Sequence, residues 1–360
     1  MKTLRTNNTL GRQTTLFEAE PTFPSTRFQG SKLKIIDWIW SAMEGLNFNT
    51  ALDAFGGTGC VAYMLKQKGK KVTYNDALKF NRHIGLALIE NDCVKLTEKD
   101  TEFLLTRHDK IKYPAFVYDT FKNIYFTDEE NRWIDMVVTN INSLDGIYKK
   151  SLAYFALFQS CIIKRPYNLF HRKNLYVRLS DVKRNFGNKT TWDTPFNVHF
   201  EKFAGEANAA VFSNGQENTA MNSDIFDVKD DYDLVYIDTP YISQKGGGVD
   251  YHDFYHFLEG LVNYQTWGDM IAYDTKHKRL KNTGSPWTDK NSIHLAFDKL
   301  FEKFKNSILV VSYRSDGIPT VEELIKLLKK YKNDVKEMQR KSYKYALSSN
   351  HTEEVLLVGK

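Results

Sequence analysis

Cysteine is scarce in this sequence of 360 residues, and its three cysteines form no paired motif. Cys60, Cys93 and Cys161 are odd in number and lie far apart, without a Cys-x-x-Cys pair among them. This pattern is typical of free thiols in a reducing compartment, and it argues against a disulfide framework or a zinc knuckle.

Long apolar runs are also absent. No segment approaches the ~20 consecutive apolar residues that span a bilayer. Residues 1–20 lack the apolar core of a secretory signal. We therefore expect a cytoplasmic protein that has no membrane partner.

A strong excess of one charge is missing as well. The chain has 50 Lys and Arg residues against 44 Asp and Glu residues, which gives a formal net charge of +6. Such a mildly basic balance permits a polyanionic partner without requiring one. The placement of the charges is therefore more informative than their sum.

What the sequence does contain begins with a β-α-β pattern. After an arm that we predict to be flexible (residues 1–22), the first helix is predicted from Leu33. The run 51–55 is a predicted strand, 60–68 a predicted helix and 71–74 a second predicted strand. This order opens a parallel, doubly wound α/β sheet.

A long segment then interrupts the alternation of strands and helices, which later resumes. Further buried strands are predicted at 233–237, 307–312 and 354–358. We therefore predict a discontinuous catalytic domain around an insert, with boundaries at 23–125 and 216–360 for the catalytic domain and 126–215 for the insert.

A glycine-rich loop follows the first predicted strand. Gly57, Gly59 and Ala62 fit the pattern G-x-G-x-x-[GA], and Asp76 ends the second strand at the expected distance. Glycines let the backbone approach a ligand closely, and an acid at the end of the second strand binds ribose hydroxyls. These features leave NAD and S-adenosylmethionine both open. Asp53, just before the loop, favours the methyl donor, because a carboxylate attracts its cationic amino-acid end and repels a pyrophosphate.

A tetrapeptide, Asp238-Thr239-Pro240-Tyr241, follows a predicted strand and is therefore expected at the carboxyl edge of the sheet. It resembles the Asp-Pro-Pro-Tyr motif of amino-group methyltransferases, with Thr239 in place of the first proline. An exocyclic amine is a poor nucleophile because its lone pair is delocalised into the ring. Asp238 and the carbonyl group of Pro240 can accept both amine hydrogens and so free the lone pair. Tyr241 offers a stacking face for a base flipped out of the duplex, and we expect all three residues to be catalytic.

Taken in order along the chain, these segments resemble the DNA adenine-N6 methyltransferases of the alpha arrangement, which include Dam-like and restriction–modification enzymes. Segments 27–32 and 222–226 resemble two cofactor-binding segments of that family. The resemblance implies that Phe28 packs on S-adenosylmethionine, that Lys32 reaches its carboxylate and that Asp224 recognises its adenine. The residues expected to bind the cofactor are Phe28, Gln29, Lys32, Asp53, Phe55, Gly57, Asp76, Asp224, Ile225 and Asp238.

The resemblance also implies a fold and a reaction. The fold is a Rossmann-like, S-adenosylmethionine-dependent methyltransferase sheet with an inserted, mainly helical target recognition domain. The reaction is methyl transfer to N6 of a flipped-out adenine in a specific double-stranded DNA sequence, within a restriction–modification system whose cognate endonuclease acts independently. No metal is expected, because His252 and His256 have the spacing of metal ligands but lack a third ligand nearby.

Basic residues concentrate within the predicted insert. Segment 164–189 contains eight Lys and Arg residues against a single acid, Asp181, with aromatic residues between them. Such a segment suits phosphate contacts, with a few side chains left to read base edges. We predict that DNA is contacted by Arg165, Arg172, Lys173, Arg178, Lys183, Arg184, Asn188 and Lys189.

Other functions remain open at this point, among which RNA methylation and protein glutamine methylation rank lower because neither needs a long insert of this composition. An N4-cytosine DNA methyltransferase uses the same amine chemistry, although Asp238 at the head of the tetrapeptide favours adenine. A DNA-binding relative that has lost catalysis would account for Thr239, but it would leave Asp53 and Asp76 without a use. An NAD dehydrogenase would account for the glycine-rich loop but not for the tetrapeptide.

Overall fold

A computed structural model of the protein describes residues 21–181, 189–243, 250–281, 284–338, 341–343 and 352–360. The strands are β1 (Thr50–Asp53), β2 (Lys71–Asn75), β3 (Thr219–Met221), β4 (Leu234–Ile237), β5 (Ile242–Ser243), β6 (Ile308–Arg314), β7 (Gly317–Ile318), β8 (Val335–Glu337), β9 (Lys341–Tyr343) and β10 (Thr352–Gly359). The α-helices are α1 (Ile36–Met43), α2 (Cys60–Gln67), α3 (Lys79–Gly85), α4 (Glu98–Leu105), α5 (Phe116–Thr120), α6 (Asp128–Ser143), α7 (Ile147–Ile163), α8 (Leu175–Leu179), α9 (Lys189–Asp193), α10 (Phe196–Ala210), α11 (Tyr251–Val262), α12 (Trp267–Met270), α13 (Ile293–Lys303) and α14 (Val321–Leu328). Short 3-10 helices occur at Lys32–Ile35 and Pro166–Asn168, and a π-helical turn at Leu86–Glu90.

One mixed sheet forms the centre of the molecule. Its strands are ordered β3-β2-β1-β4-β6-β10-β8, and β9 also pairs with β10. The first five strands of this order are parallel to one another, whereas β10 is antiparallel to β6 and β8. A separate two-stranded sheet pairs β5 with β7. The arrangement confirms the predicted α/β class and the Rossmann-like sheet.

The apolar residues of the central strands explain why these strands lie in the middle of the sheet. β1, β4 and β6 are short apolar runs in which nearly every residue is buried. Continuous apolar strands of this kind lie in parallel sheets that are covered on both faces. Their side chains alternate between two hydrophobic clusters, so that Leu234 and Tyr236 pack on one face while Val235 and Ile237 pack on the other.

Helices cover both faces of the sheet. One cluster includes side chains of α2, α3, α7, α10 and α11, and the other includes α13 and α14. In α7, 13 of the 17 residues are buried, as expected for a helix enclosed on all sides. Although α7 and α10 belong to the predicted insert, they therefore share the core of the sheet, and the boundaries 126–215 stay a prediction. No helix in the described part of the chain is long and apolar enough to cross a membrane.

The strand order brings two loops to one edge of the sheet. From β1 the chain runs outward to β2 and β3, and it returns to β4 on the other side of β1. Ligands of open α/β sheets bind in the crevice at such a reversal, at the carboxyl ends of the strands. Because the glycine-rich loop follows β1 and the tetrapeptide follows β4, the two predicted motifs meet there.

Candidate active site

A cavity of about 390 Å³ lies at this carboxyl edge. It is bordered by the segment before α1, the ends of β1, β2 and β4, the first turns of α11 and the loop before α13. Every residue that the sequence analysis assigned to cofactor binding lines the cavity, namely Phe28, Gln29, Lys32, Asp53, Phe55, Gly57, Asp76, Asp224, Ile225 and Asp238. The fold thus brings side chains from remote parts of the chain to one site.

The glycine-rich loop makes a tight turn from β1 into α2. Gly57 and Gly59 have φ angles of +50° and +77°, in the left-handed region that favours glycine. Gly56 packs against Tyr74, and a Cβ atom added there would lie 2.1 Å from a carbon of the ring. The Tyr74 hydroxyl in turn donates a hydrogen bond to the Gly57 carbonyl oxygen at 2.7 Å. A larger residue would therefore clash with Tyr74 at position 56 and strain the backbone at positions 57 and 59.

Two carboxyl groups lie at the ends of β1 and β2, and the Asp53 group is buried whereas the Asp76 group is partly buried. Asp53 Oδ2 accepts a hydrogen bond from the Ala62 N–H group of α2 at 3.2 Å. Asp76 accepts hydrogen bonds from the N–H groups of Gly57 and Leu78 at 2.9 and 2.8 Å. Burial, with a smaller contribution from a neighbouring carboxylate, raises the pKa of Asp53 to about 8, and burial also raises the pKa of Asp76. A cationic ligand would favour the ionised form of both groups.

Aromatic side chains enclose one end of the cavity. The Phe28 ring stacks on Phe80 with 6.0 Å between centroids, and it packs against Tyr255 at 4.9 Å. The Gln29 N–H group donates to the Tyr255 hydroxyl at 2.8 Å, which ties the segment before α1 to α11. This end offers a flat apolar surface of the kind that lines small-molecule sites.

Another part of the wall comes from the segments after β3 and before α13. Ile225 is buried, and Asp224 Oδ1 accepts a hydrogen bond from the Phe226 N–H group at 2.9 Å. Trp287 meets the Phe55 ring edge-on, with 5.0 Å between centroids. Sequence reasoning missed Trp287, although a single tryptophan in the polar segment 284–288 was a signal for packing against a site.

The structure places the residues of the tetrapeptide in different surroundings. Asp238 and Pro240 line the cavity, and the Asp238 side chain is 17% exposed. Thr239, which differs from the family motif, is buried outside the cavity lining. Tyr241 is only 3% exposed, and the Arg314 guanidinium lies 5.1 Å from the centre of its ring. Because the ring is covered, stacking of a base on Tyr241 stays a prediction.

Lys32 has partners other than the one that the family resemblance implied. Its ammonium lies 2.9 Å from Asp238 Oδ2 and 3.3 Å from Glu354 Oε1, and its side chain is 3% exposed. Opposite charges at these distances in a buried site attract strongly. The sequence did not predict these two contacts, and the contact of Lys32 with a cofactor carboxylate stays a prediction, since Lys32 also lines the cavity. Glu354 itself had not been identified, because it lies on the last strand and belongs to no recognised motif.

The protonation of Asp238 reflects this environment. Burial raises its pKa to about 6, the Lys32 ammonium opposes the rise, and the Glu354 carboxylate adds to it. A carboxyl group with this pKa is mostly ionised at neutral pH and can accept hydrogen bonds from an amine.

The basic residues of segment 164–189 divide into exposed and buried ones. Arg172, Lys173 and Lys189 are exposed, so they are available for contacts with DNA. Arg165 and Arg178 are only 1% and 5% exposed, which contradicts the prediction that they contact DNA. The other predicted contacts, Lys183, Arg184 and Asn188, lie outside the described residues.

Arg165 and Arg178 instead form hydrogen bonds in the interior of the protein. Arg165 donates hydrogen bonds to the carbonyl oxygens of Leu169 and Tyr125 at 3.2 and 3.1 Å. Arg178 donates two hydrogen bonds to the Glu130 carboxylate, at 2.9 and 2.7 Å. Sequence reasoning missed these roles because Tyr125 and Glu130 lie far upstream of the basic segment.

Comparisons with known proteins point to one family. A family model described as D12 class N6 adenine-specific DNA methyltransferase matches residues 28–315. The Type II methyltransferase M2.HphI of Haemophilus parahaemolyticus is 29% identical over 350 residues, which cover 94% of this chain and 98% of that protein. The Type II methyltransferase M.FokI of Planomicrobium okeanokoites is 25% identical over 324 residues, or 85% of this chain and 47% of that protein. Modification methylase StsI of Streptococcus sanguinis is 26% identical over 296 residues, or 79% of this chain and 42% of that protein.

Proposed function

The chain belongs to the D12 class N6 adenine-specific DNA methyltransferase family, and on this premise we propose that its cavity holds S-adenosylmethionine beside a flipped-out adenine. As a member of that family it is an adenine-specific DNA methyltransferase. One observation carries the proposal for the site: Asp238 and Pro240 border the same cavity as the glycine-rich loop.

The lining of the cavity fits S-adenosylmethionine on chemical grounds. This ligand has a cationic amino-acid end, a ribose with free hydroxyls and an adenine ring, and when bound it supplies an electrophilic methyl group on its sulfonium. The carboxyl groups of Asp53 and Asp76 suit the cationic end and the ribose hydroxyls, respectively. Asp224, with Phe55 and Ile225, suits the polar edge and the faces of the adenine ring.

We assign the positioning of the target amine to Asp238 and Pro240. The Asp238 carboxylate accepts one amine hydrogen and the Pro240 carbonyl oxygen accepts the other. This would draw the nitrogen toward a tetrahedral geometry and free its lone pair to take up the methyl group that the sulfonium of bound S-adenosylmethionine would release. The methylated amine is cationic and loses a proton readily, so no strong general base is required. Removing one preorganised hydrogen-bonding group of this kind typically costs about 10²–10³ in rate.

The proposed DNA contacts are the exposed basic residues Arg172, Lys173 and Lys189. Such side chains bind phosphates and position the duplex, whereas other side chains read the bases. M2.HphI and M.FokI are named Type II methyltransferases. By that likeness we propose methylation of a specific double-stranded sequence within a restriction–modification system whose endonuclease acts independently.

Expression in a host without adenine methylation, followed by mapping of modified bases at single-nucleotide resolution, tests this function. We expect N6-methyladenine confined to one short motif. Asp238→Ala is expected to abolish the modification while the purified variant still binds S-adenosylmethionine. Asp37→Ala, on the exposed side of α1, is the matched control and is expected to methylate normally. N4-methylcytosine in place of N6-methyladenine, or normal methylation by Asp238→Ala, would contradict the proposal.

A further inference from the structure

We propose that Glu354 is a positioning residue for methyl transfer: together with Ser312 it anchors the Lys32 ammonium, which in turn holds the Asp238 carboxylate in place. The inference rests on the proposed function, because Asp238 is the carboxylate that would receive the target amine. Glu354 belongs to none of the sequence motifs, and it lies on β10, beyond the residues that the family model matches.

Segments that are remote in the chain bring these groups together. The Glu354 side chain is 0% exposed. Its Oε1 atom accepts a hydrogen bond from the Ser312 hydroxyl of β6 at 2.5 Å, and it lies 3.3 Å from Lys32 Nζ. The same nitrogen lies 2.9 Å from Asp238 Oδ2. A chain of contacts therefore runs from a fully buried carboxylate, through a buried ammonium, to the carboxylate at the cavity.

The two ends of this chain differ in what they can do. Glu354 and Ser312 are fully buried, so neither can touch a substrate, whereas Asp238 borders the cavity. A buried charge without a partner is strongly unfavourable, and Glu354 therefore keeps the ammonium close to it. Lys32 has a long, flexible side chain, and anchoring its ammonium restricts the direction from which it can bind Asp238. Contacts of this kind, made by residues that do not touch the substrate, hold a reacting group in a productive orientation.

Glu354 also affects the charge at the site. The groups that face Asp238 or Lys32 come from several elements and are Asp53, Tyr236, Tyr241, Tyr251 and Glu354. Among the neighbours of Asp238, Lys32 lowers its pKa and Glu354 raises it. Replacing Glu354 with neutral Gln removes a negative neighbour, so the pKa of Asp238 falls and the acid limb of the activity moves to lower pH.

The test compares Glu354→Gln with Glu353→Gln on the same strand. Successive side chains of a strand point to opposite faces, so the control changes the same charge outside the network. Methylation of a duplex that carries the mapped site gives kcat against pH, and calorimetric titration gives the affinity for S-adenosylmethionine. For Glu354→Gln we expect kcat to fall by about 10-fold or more, because misplacing a reacting group by about 1 Å can cost about 10²-fold in rate. We also expect an acid limb at lower pH and unchanged cofactor affinity, whereas Glu353→Gln behaves as wild type.

Ser312→Ala is a second variant, which tests the same network if Glu354→Gln folds poorly. It removes one donor to Glu354, and we expect a smaller loss of kcat with unchanged cofactor affinity. A kcat and an acid limb of Glu354→Gln that both equal those of the wild type would overturn the positioning role. The same conclusion would follow if, in both variants, kcat fell only in parallel with the affinity for the cofactor. Absence of adenine methylation by the wild-type protein would instead overturn the proposed function, so the two failures are distinguishable.

Discussion

Among single residues, Asp238 sets the pH range in which the proposed positioning of the amine can operate. Its ionised carboxylate accepts an amine hydrogen more strongly than the protonated acid does. Burial raises its pKa from 3.8 to about 6, although Lys32 opposes the rise. We therefore expect kcat/KM to fall as the pH drops through about 6 and to be level at higher pH, which a pH–rate profile measures.

The positive charge of the bound cofactor lowers the pKa of Asp238, so a midpoint somewhat below that of the free protein is expected in the complex. Asp37→Asn, an exposed change on α1, is the control and is expected to keep the same acid limb. An acid limb centred on the ordinary carboxyl value of 3.8 would show that the carboxyl group is not buried during the reaction.

Asp53 is the residue at which stability and ligand binding are expected to oppose each other. Its pKa in the folded protein is raised by burial and by Asp238 from 3.8 to about 8. A raised pKa contributes stability that is fully present below pH 3.8 and is lost as the pH rises through about 8. The folded, ligand-free protein therefore carries an unfavourable buried charge in alkaline buffer.

We predict that Asp53→Asn stabilises the ligand-free protein at pH 8 by on the order of 1–2 kcal/mol. Asparagine can still accept the hydrogen bond from Ala62, but it carries no charge. Because the asparagine has no negative charge to attract the cationic end of the ligand, we expect the affinity of Asp53→Asn for S-adenosylmethionine to fall by about 10-fold or more. A tenfold loss of affinity corresponds to about 1.4 kcal/mol, the free energy of a pKa shift of about one unit. Thermal unfolding and calorimetric titration measure the two effects, and a variant that is both less stable and equally tight in binding would contradict this account.

At the scale of secondary-structure elements, two glycines inside helices form a matched pair. Gly205 in α10 has open space where a Cβ atom would lie, whereas a Cβ atom on Gly260 in α11 would lie 1.8 Å from the Trp267 ring. We predict that Gly205→Ala raises the free energy of unfolding by about 0.5–1 kcal/mol, because alanine favours the helix and restricts the unfolded chain. Gly260→Ala is expected to lower it by about 1–3 kcal/mol, because Trp267 must move.

Urea unfolding of both variants measures this difference. Because α11 carries Tyr251 and Tyr255, which line the cavity, we also expect Gly260→Ala to weaken cofactor binding while Gly205→Ala leaves it unchanged. Equal effects of the two substitutions would mean that α11 does not pack on Trp267 as described.

The elements also show how far sequence patterns predict local structure. The apolar runs at 233–237, 307–312 and 354–358 were predicted as strands and correspond to β4, β6 and β10. The strand β3, Thr219–Met221, was missed because it has only three residues and no apolar run. It forms by pairing with β2, which is a contact between segments that are remote in the chain.

At the scale of the whole molecule, DNA binding depends on which basic residues reach the surface. We predict that Arg172→Ala combined with Lys173→Ala weakens binding to specific and non-specific duplexes alike. If each residue contacts one phosphate, the slope of log K against log salt falls by about 2. Binding titrations at several salt concentrations measure both quantities.

The matched control changes the same number of charges elsewhere. Lys326 on α14 and Lys329 directly after it are exposed, and α14 packs in the other hydrophobic cluster. We expect their double alanine variant to bind DNA as the wild type does. A salt slope that falls equally in both double variants would show that net charge, and not the surface near Arg172, governs binding.

The sequence by itself determined the fold class, the family and the two motifs that border the cavity. Each of these depends on short, local patterns, such as an apolar run, a glycine-rich turn or a tetrapeptide after a strand. Since the carboxyl ends of parallel strands meet at one edge, local patterns were enough to predict that the tetrapeptide lies at the carboxyl edge of the sheet.

Only the tertiary structure decided the partners and the burial of individual charged side chains. The buried ion pair of Arg178 with Glu130, the contact of Lys32 with Glu354 and the packing of Trp287 on Phe55 all join segments that are remote in the chain. Burial and pairing depend on how helices and strands pack, and an Arg or Lys in a basic segment has the same sequence pattern whether it faces DNA or a buried carboxylate. The physical reason is that charge is a property of the residue, whereas its environment is a property of the fold.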